Sequence, residues 1–211
     1  MPTITKITTQ VKRANRRNIF IDGAFAFGVN LNVVAKFKLN SGQELSADQI
    51  AAIQAGELRQ ECFDSAIGFL SRRMHTRSEL GRKLVRKEFG APVINSVLDQ
   101  LEKMKYVDDT SFAKARALSL MQHKHHGKKR ALIELRRAGV SAAIAEPVLN
   151  EVYAEQDATS VAMELAMKQK SRLAKLDPQK ARQRLTGMLL RRGFDFKDIK
   201  IVVDEVVGKR K

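Results

Sequence analysis

The 211-residue chain carries 39 lysines and arginines against 23 acidic residues, a formal net charge of +16, and is 44% hydrophobic. That is enough apolar material for a real core, as one domain or a string of small ones, and the positive excess calls for a polyanionic or strongly acidic partner. No apolar run approaches the ~18 residues that cross a bilayer, the start MPTITKITTQVKR lacks the apolar centre of a secretion signal, and the single cysteine, Cys62, excludes a disulfide framework or a thiolate metal cluster.

In the first 30 residues, Ile7, Thr9 and Val11 alternate, and Asn18 to Ile21 and Phe25 to Val29 form β-branched and aromatic runs separated by Asp22-Gly23. Both central positions of a type I′ turn need positive φ, which Asp-Gly supplies, so a small antiparallel β element is predicted, with Val33 to Leu39 beside it. Such a hairpin is marginal alone and must pack on something. Lys12, Arg13, Arg16 and Arg17 fall in its first loop. Ser46 and Gln49 then stand at capping-box spacing, opening a short helix that runs to about Ala55 and closes at Gly56.

From residue 57 onward a pattern occurs three times. Leu84, Leu135 and Leu189 head one column, 51 and 54 residues apart. Leu80, Ala131 and Leu185 stand four before; Val97/Leu98, Val148/Leu149 and Val202/Val203 stand thirteen and fourteen after; Leu101, Val152 and Val206 stand seventeen after. The spacing is helical, which predicts a three-helix unit used three times. The expected division is 1–56, a β-hairpin extension with a short helix, then repeats over 57–107, 108–153 and 154–211. In the first repeat Leu58, Cys62, Phe63, Ala66, Ile67 and Leu70 line one helix; Thr76, with Glu79 at capping-box distance, opens a second to about Phe89; Gly90 and Pro92 start the third. In the second repeat Asp109 is the expected N-cap of the first helix, Gly127 and Gly139 bound the second, and Ser141 opens the third. In the last repeat a long helix is expected from Glu155 to Leu173, then Asp177-Pro178 caps the second helix and Gly193 ends it. Gly139 and Gly193 share a column in which the first repeat has Glu88. The fold class is therefore mainly α: tandem helix-turn-helix-like repeats in an elongated curved array behind a small N-terminal antiparallel β element.

Charge follows the same repeat. The second helices gather Arg72, Arg73, Arg77, Arg82, Lys83, Arg86 and Lys87, then Lys128, Lys129, Arg130, Arg136 and Arg137, then Lys180, Arg182, Arg184, Arg191 and Arg192, while the third helices are neutral to acidic, with Asp195, Asp198, Asp204 and Glu205 in the last. A cationic surface spread along the chain suits a long polyanion or an extended acidic surface better than one small anion. Base reading by acidic third helices is disfavoured, and with 6% aromatic residues and no tryptophan, platforms for stacking single-stranded bases are scarce.

Catalysis finds no support. Gly127-Lys128 resembles the end of a phosphate-binding loop, but Gln122 replaces the glycine needed five residues earlier. His123, His125 and His126 lack a carboxylate at ligand spacing and are expected as solvated loop residues, Asp108-Asp109 as a helix cap, and Ser71, Ser78 and Ser111 have no histidine and acid at triad spacing. No cofactor and no metal are expected.

The run from Arg72 through His75-Thr76-Arg77-Ser78-Glu79-Leu80 to Leu84, the Tyr106-Val107-Asp108-Asp109 step followed by Phe112-Ala113, the stretch Gly127 to Val140, and Leu190-Arg191-Arg192-Gly193-Phe194 together closely resemble the RecX family of bacterial recombination regulators. The likeness covers about Glu57 to Val207, and the β-rich start is similar to an N-terminal extension of some members. It implies three tandem three-helix repeats and a non-enzymatic modulator, mainly an inhibitor, of the RecA recombinase. Such a modulator lies in the groove of the RecA filament on single-stranded DNA and limits filament extension, strand exchange and ATP hydrolysis. The implied partners are the RecA filament and single- or double-stranded DNA bound without sequence preference, for a cytoplasmic monomer without membrane attachment. Ser78, Glu79, Leu80, Asp108, Asp109 and Phe112 match family motif positions with an expected structural role. The alternative is a helix-turn-helix-type transcriptional or architectural DNA-binding protein, which would prefer one duplex sequence by orders of magnitude.

Overall fold

A computed structural model describes residues 1–155 and 157–208, residue 155 by its backbone alone. Gln156, inside the long helix expected from Glu155, and residues 209–211 of the expected last repeat lie outside the described residues. The chain forms two compact units, one of Met1–Arg73 with Leu80–Tyr106, the other of Met74–Glu79 with the chain from Val107 onward.

In the first unit, β1 (Ile4–Gln10), β2 (Arg13–Ile21) and β3 (Ala24–Asn30) make an antiparallel sheet in the order β1-β2-β3, with Ile7 opposite Ile19 and Ile19 opposite Phe27. The β2–β3 turn has Asp22 and Gly23 at φ 49° and 85°, the pair of positive values that a type I′ turn requires. Ile4, Ile19 and Val29 on one face join Val33, Leu39, Leu45 and Ile53 in a core. The segment expected beside the hairpin is helical: α1 (Leu31–Phe37) starts where the Asn30 side chain accepts from the Asn32 amide and ends at left-handed Lys38. Arg13, Arg16 and Arg17 lie in β2 and not in a loop. Arg16 is held there by Glu57 at 2.9 Å and Glu61 at 3.0 Å, both on the following helix.

That helix, α2 (Ala47–Leu70), opens with the expected capping box of Ser46 and Gln49 but does not stop at Gly56. A Cβ at Gly56 would stand 2.7 Å from the Phe37 ring, so this glycine admits the close approach of α1 and leaves the helix unbroken. The segments 1–56 and 57–107 thus meet inside one continuous helix. Then follow α3 (Arg77–Val85), shorter than expected, and α4 (Ala91–Lys103). α4 packs on α2, where Arg59 donates to Ser96 Oγ at 3.0 Å and Gln100 Oε1 at 2.6 Å. Cys62 is buried, which pushes its thiol up to about 11 and leaves it chemically quiet.

The second unit has two cores. Around one stand α5 (Asp109–Gln122), α6 (Lys128–Ala138) and α7 (Ala142–Glu155), burying Ala117, Leu120, Ala131, Leu135, Leu149 and Val152. Around the other stand α8 (Ala158–Met167), α9 (Lys170–Leu173), α10 (Pro178–Arg192) and α11 (Phe196–Val207), burying Ala162, Leu185, Leu189, Phe194, Ile199 and Val202. The long helix expected over residues 155–173 is broken into α8, capped by Asp157, and the short turn α9, whose Leu173 reaches this core. Asp108, not Asp109, caps α5, accepting from the Thr110 and Ser111 amides. Asp177 caps α10 as expected, with Pro178 first in the helix.

The aligned column carries one geometry three times. The amides of Phe89, Val140 and Phe194 donate to the carbonyls of Leu84, Leu135 and Leu189 at 3.4, 3.1 and 3.2 Å. The residues just before these donors, Glu88, Gly139 and Gly193, are left-handed at φ 65°, 94° and 83°. Each second helix therefore ends in the same left-handed cap, and the three column leucines are fully buried.

Candidate nucleic-acid and protein contact surface

The second helix of the middle repeat meets main chain at both of its ends. At its start, the Gly127 amide donates to Arg192 O at 2.8 Å and the Lys129 amide to Gly193 O at 3.2 Å. The first amides of α6, which have no partner within their own helix, are thus satisfied by the last carbonyls of α10, negative helix end to positive helix end. The approach tolerates no side chain: a Cβ on Gly193 would lie 2.3 Å from the Arg130 nitrogen, and one on Gly127 2.3 Å from Gly193 O. At the other end of α6, Thr76 Oγ1 donates to Ala138 O at 2.7 Å and accepts from the Glu79 amide at 3.0 Å. Asp109 Oδ1 accepts from the Arg77 amide at 2.8 Å, and a Cβ on Gly139 would lie 2.6 Å from Ser78 Cβ. So α10, α6 and the first turn of α3 follow one another end to end.

This arrangement decides which cations gather. The α10–α6 junction brings Arg191 and Arg192 of one repeat beside Lys128, Lys129 and Arg130 of another, with Arg192 also donating to Lys124 O. His126 sits among them: burial, then the charges of Arg192 and Arg130, hold its imidazole below the usual range, with Glu134 opposing. The α6–α3 junction brings Arg136 and Arg137 to the turn that carries Arg77. Arg72 and Arg73 precede α3, and Arg86 and Lys87 follow it, so only Arg77, Arg82 and Lys83 of that group lie on the helix itself.

Several cations are already engaged. Lys129 pairs with Asp195 at 3.1 Å, Arg130 and Arg137 with Glu134 at 2.9 and 3.7 Å, and Arg182 with Asp204. Lys128 donates to Asn150, and Lys83 lies 4.8 Å from the centre of the Phe69 ring. Among the described residues, no carboxylate pairs with Arg72, Arg82, Arg86, Lys87, Arg136, Arg184 or Arg191, and all seven are exposed. Asp195, the N-cap of the acidic third helix α11, and Asp204 within it therefore neutralise second-helix cations within the fold, while these seven, with the exposed Lys180, are open to a partner.

The motif residues have packing roles in view: Leu80 is buried, Phe112 packs on the core around Leu149, Glu79 lies 3.8 Å from His75, and Ser78 sits against Gly139. The histidines are not all solvated as expected. His125 Nε2 lies 3.4 Å from Glu164 and 3.1 Å from Lys168 Nζ, and the His126 carbonyl accepts from Tyr153 Oη at 2.6 Å. Among the described residues no three of His, Cys, Asp and Glu are grouped as metal ligands. A cleft of about 520 Å³ is lined by Tyr153, Asp157, Asp195 and Asp198, but these acids serve as the α8 cap, the Lys129 partner and the Thr159 acceptor. Among the described residues no helix is long and apolar enough to cross a membrane. Sequence reasoning missed the Gly127–Gly193 contact, whose one legible sign is a glycine standing where α6 has no capping side chain.

Residues 2–46 match the family model described as the regulatory protein RecX N-terminal domain, residues 62–101 the RecX first three-helix domain, and residues 155–203 the RecX third three-helix domain. Regulatory protein RecX of Bacillus subtilis strain 168 is 34% identical over 206 residues, spanning 98% of this chain and 78% of that protein. That of Leuconostoc mesenteroides is 32% identical over 207 residues, spanning 98% and 77%. A crystal structure of regulatory protein RecX superposes with a TM-score of 0.84 at 26% identity, covering 97% of this chain and all of that one. RecX from Lactobacillus salivarius shares the fold, with a TM-score of 0.68 at 21% identity over 72% of this chain and 97% of that one. The repeated cap, the end-to-end second helices and these likenesses over nearly the whole length agree: the chain belongs to the RecX family of regulatory proteins.

Proposed function

We propose that this protein regulates the RecA recombinase without catalysis, chiefly as an inhibitor. It binds in the groove of RecA filaments on single-stranded DNA and limits filament extension, strand exchange and ATP hydrolysis, acting as a cytoplasmic monomer. DNA contact is weak and sequence-independent, made through phosphates. The observation that carries this reading is the end-to-end succession of α10, α6 and the first turn of α3, which sets cations from separate repeats beside one another at each junction. A track of that kind matches a repeating polyanionic or acidic surface, contacted through phosphates or carboxylates. Contact is assigned first to the exposed cations without a carboxylate partner, Arg136 and Arg191 at the junctions, with Arg72, Arg82, Arg86, Lys87 and Arg184. Arg73, Arg77, Lys83, Lys128, Lys129, Arg130, Arg137, Arg182 and Arg192 contribute to the surrounding potential.

The test is RecA ATP hydrolysis on single-stranded DNA with increasing amounts of purified protein. Dose-dependent inhibition at substoichiometric amounts is expected. Unchanged hydrolysis at equimolar protein refutes the proposal, and a preference for one duplex sequence by orders of magnitude transfers support to a transcriptional or architectural role.

A further inference from the structure

Between α9 and α10 lies a cavity of about 200 Å³, floored by Leu173, Leu185 and Met188 and rimmed by Arg172, Arg184 and Arg191. The floor belongs to the core of the last repeat, with Leu173 and Leu185 buried and Met188 half-buried, while the three arginines are exposed. Arg184, Met188 and Arg191 stand at i, i+4 and i+7, so they share one stripe of α10. Arg182, elsewhere on the same helix, is satisfied by Asp204. At the groove no acid lines the wall, and among the described residues none of its three arginines has a carboxylate partner.

Three like charges around an apolar floor repel one another and contribute nothing evident to folding. A ligand that brings both negative charge and an apolar group relieves the repulsion and covers the floor together. We propose that this groove docks an acidic peptide segment bearing one large apolar side chain. That side chain enters between Leu173, Leu185 and Met188, and the flanking carboxylates meet the guanidinium groups of Arg172, Arg184 and Arg191, whose planar forks match carboxylates bidentately. Gln169, also in the wall, offers an amide to the peptide main chain. A nucleic acid fits less well: its phosphates satisfy the arginines, but no aromatic ring lines the groove to stack a base, and the apolar floor stays bare. Arg184 and Arg191 also belong to the contact surface assigned above, so the inference rests on that reading and deepens it by giving these residues a protein partner.

Fluorescence anisotropy on the full chain tests this with a labelled nine-residue peptide of aspartates and glutamates around a central phenylalanine, the same peptide with central serine, and a labelled twelve-nucleotide oligothymidylate. The phenylalanine peptide is expected to bind about tenfold more tightly than the serine peptide, the worth of burying one large apolar side chain. Arg184→Glu/Arg191→Glu, at exposed positions, should weaken it by about tenfold or more. Equal binding of the two peptides, no binding at low salt, or a preference of the same arginines for the oligothymidylate overturns the proposal. The peptide pair decides on the wild-type chain alone, even if the variant folds poorly. The assay contains neither recombinase nor long DNA, so its failure with ATPase inhibition intact removes the groove and leaves the proposed function standing.

Discussion

Gly193→Ala is the sharpest perturbation of the helix junction. At φ 83° an alanine occupies the left-handed region, which costs about 1–2 kcal/mol for a residue with a Cβ. Its Cβ would also fall 2.3 Å from the Arg130 nitrogen and 2.7 Å from Arg130 Cβ, main chain and branch point that no rotamer change can move aside. The ends of α10 and α6 must then separate, giving up the bonds from Gly127 to Arg192 O and from Lys129 to Gly193 O. Each such bond is worth about 1 kcal/mol net, so the total loss is about 3–4 kcal/mol. At 2–4 °C per kcal/mol for a chain of this size, the melting temperature should fall by roughly 6–16 °C. Thermal and guanidinium unfolding followed by far-UV circular dichroism measure the loss, and native-state hydrogen exchange at Gly127 and Lys129 reports the opened junction. Gly68→Ala serves as control: it lies within α2 with nothing within 4 Å of its would-be Cβ, and should gain about 0.5–1 kcal/mol. A Gly193→Ala protein within about 0.5 kcal/mol of wild type refutes a closed junction.

Glu88 carries the left-handed cap of the first repeat at φ 65° without being glycine. Glu88→Gly should therefore raise the guanidinium midpoint, by a stability gain of about 0.5–1 kcal/mol, and a lowered midpoint contradicts the shared cap geometry. His126 is held below its unfolded value near 6.5 by burial and then by Arg192 and Arg130. Below that value the unfolded chain takes up a proton that the folded one resists, so stability fully present above about pH 6.5 is lost as pH falls through the folded value. Relative to His126→Gln, wild type should lose stability as pH falls below about 6.5; a difference that stays constant on acidification shows that the imidazole is not penalised.

Local chemistry made much of this fold readable. The Asp22-Gly23 turn, the Ser46 capping box and the Asp177-Pro178 start each depend on residues within a few positions of one another, the leucine column on a periodicity that recurs along the chain, and each has its expected structure. The departures arise where a distant contact overrides local preference. Gly56 reads as a helix stop, yet its missing Cβ is used by Phe37. Asp109 reads as the cap of its own helix, but it serves the Arg77 amide 32 positions earlier, and the neighbouring Asp108 caps α5. Val33 to Leu39 reads as β-branched chain beside a hairpin, yet Asn30 nucleates a helix there. The basic residues of the candidate surface were visible as a periodic excess. The pairs of Glu134 with Arg130 and Arg137 follow i,i+4 and i,i+3 spacing within α6, but those of Lys129 with Asp195 and Arg182 with Asp204 depend on side chains meeting across helices, which no single-helix pattern encodes.

The most direct measurement compares two charge reversals of equal size on inhibition of RecA ATP hydrolysis over single-stranded DNA. Arg136→Glu/Arg137→Glu alters the exposed end of α6 at its junction with α3, and Lys197→Glu/Lys200→Glu alters exposed positions on the third helix α11. If second-helix cations make the contact, the first pair weakens inhibition by about tenfold or more and the second leaves it near wild type. Equal losses from both pairs would reduce the effect to net charge, and full inhibition by the α6 variant would remove the second helices from the interface.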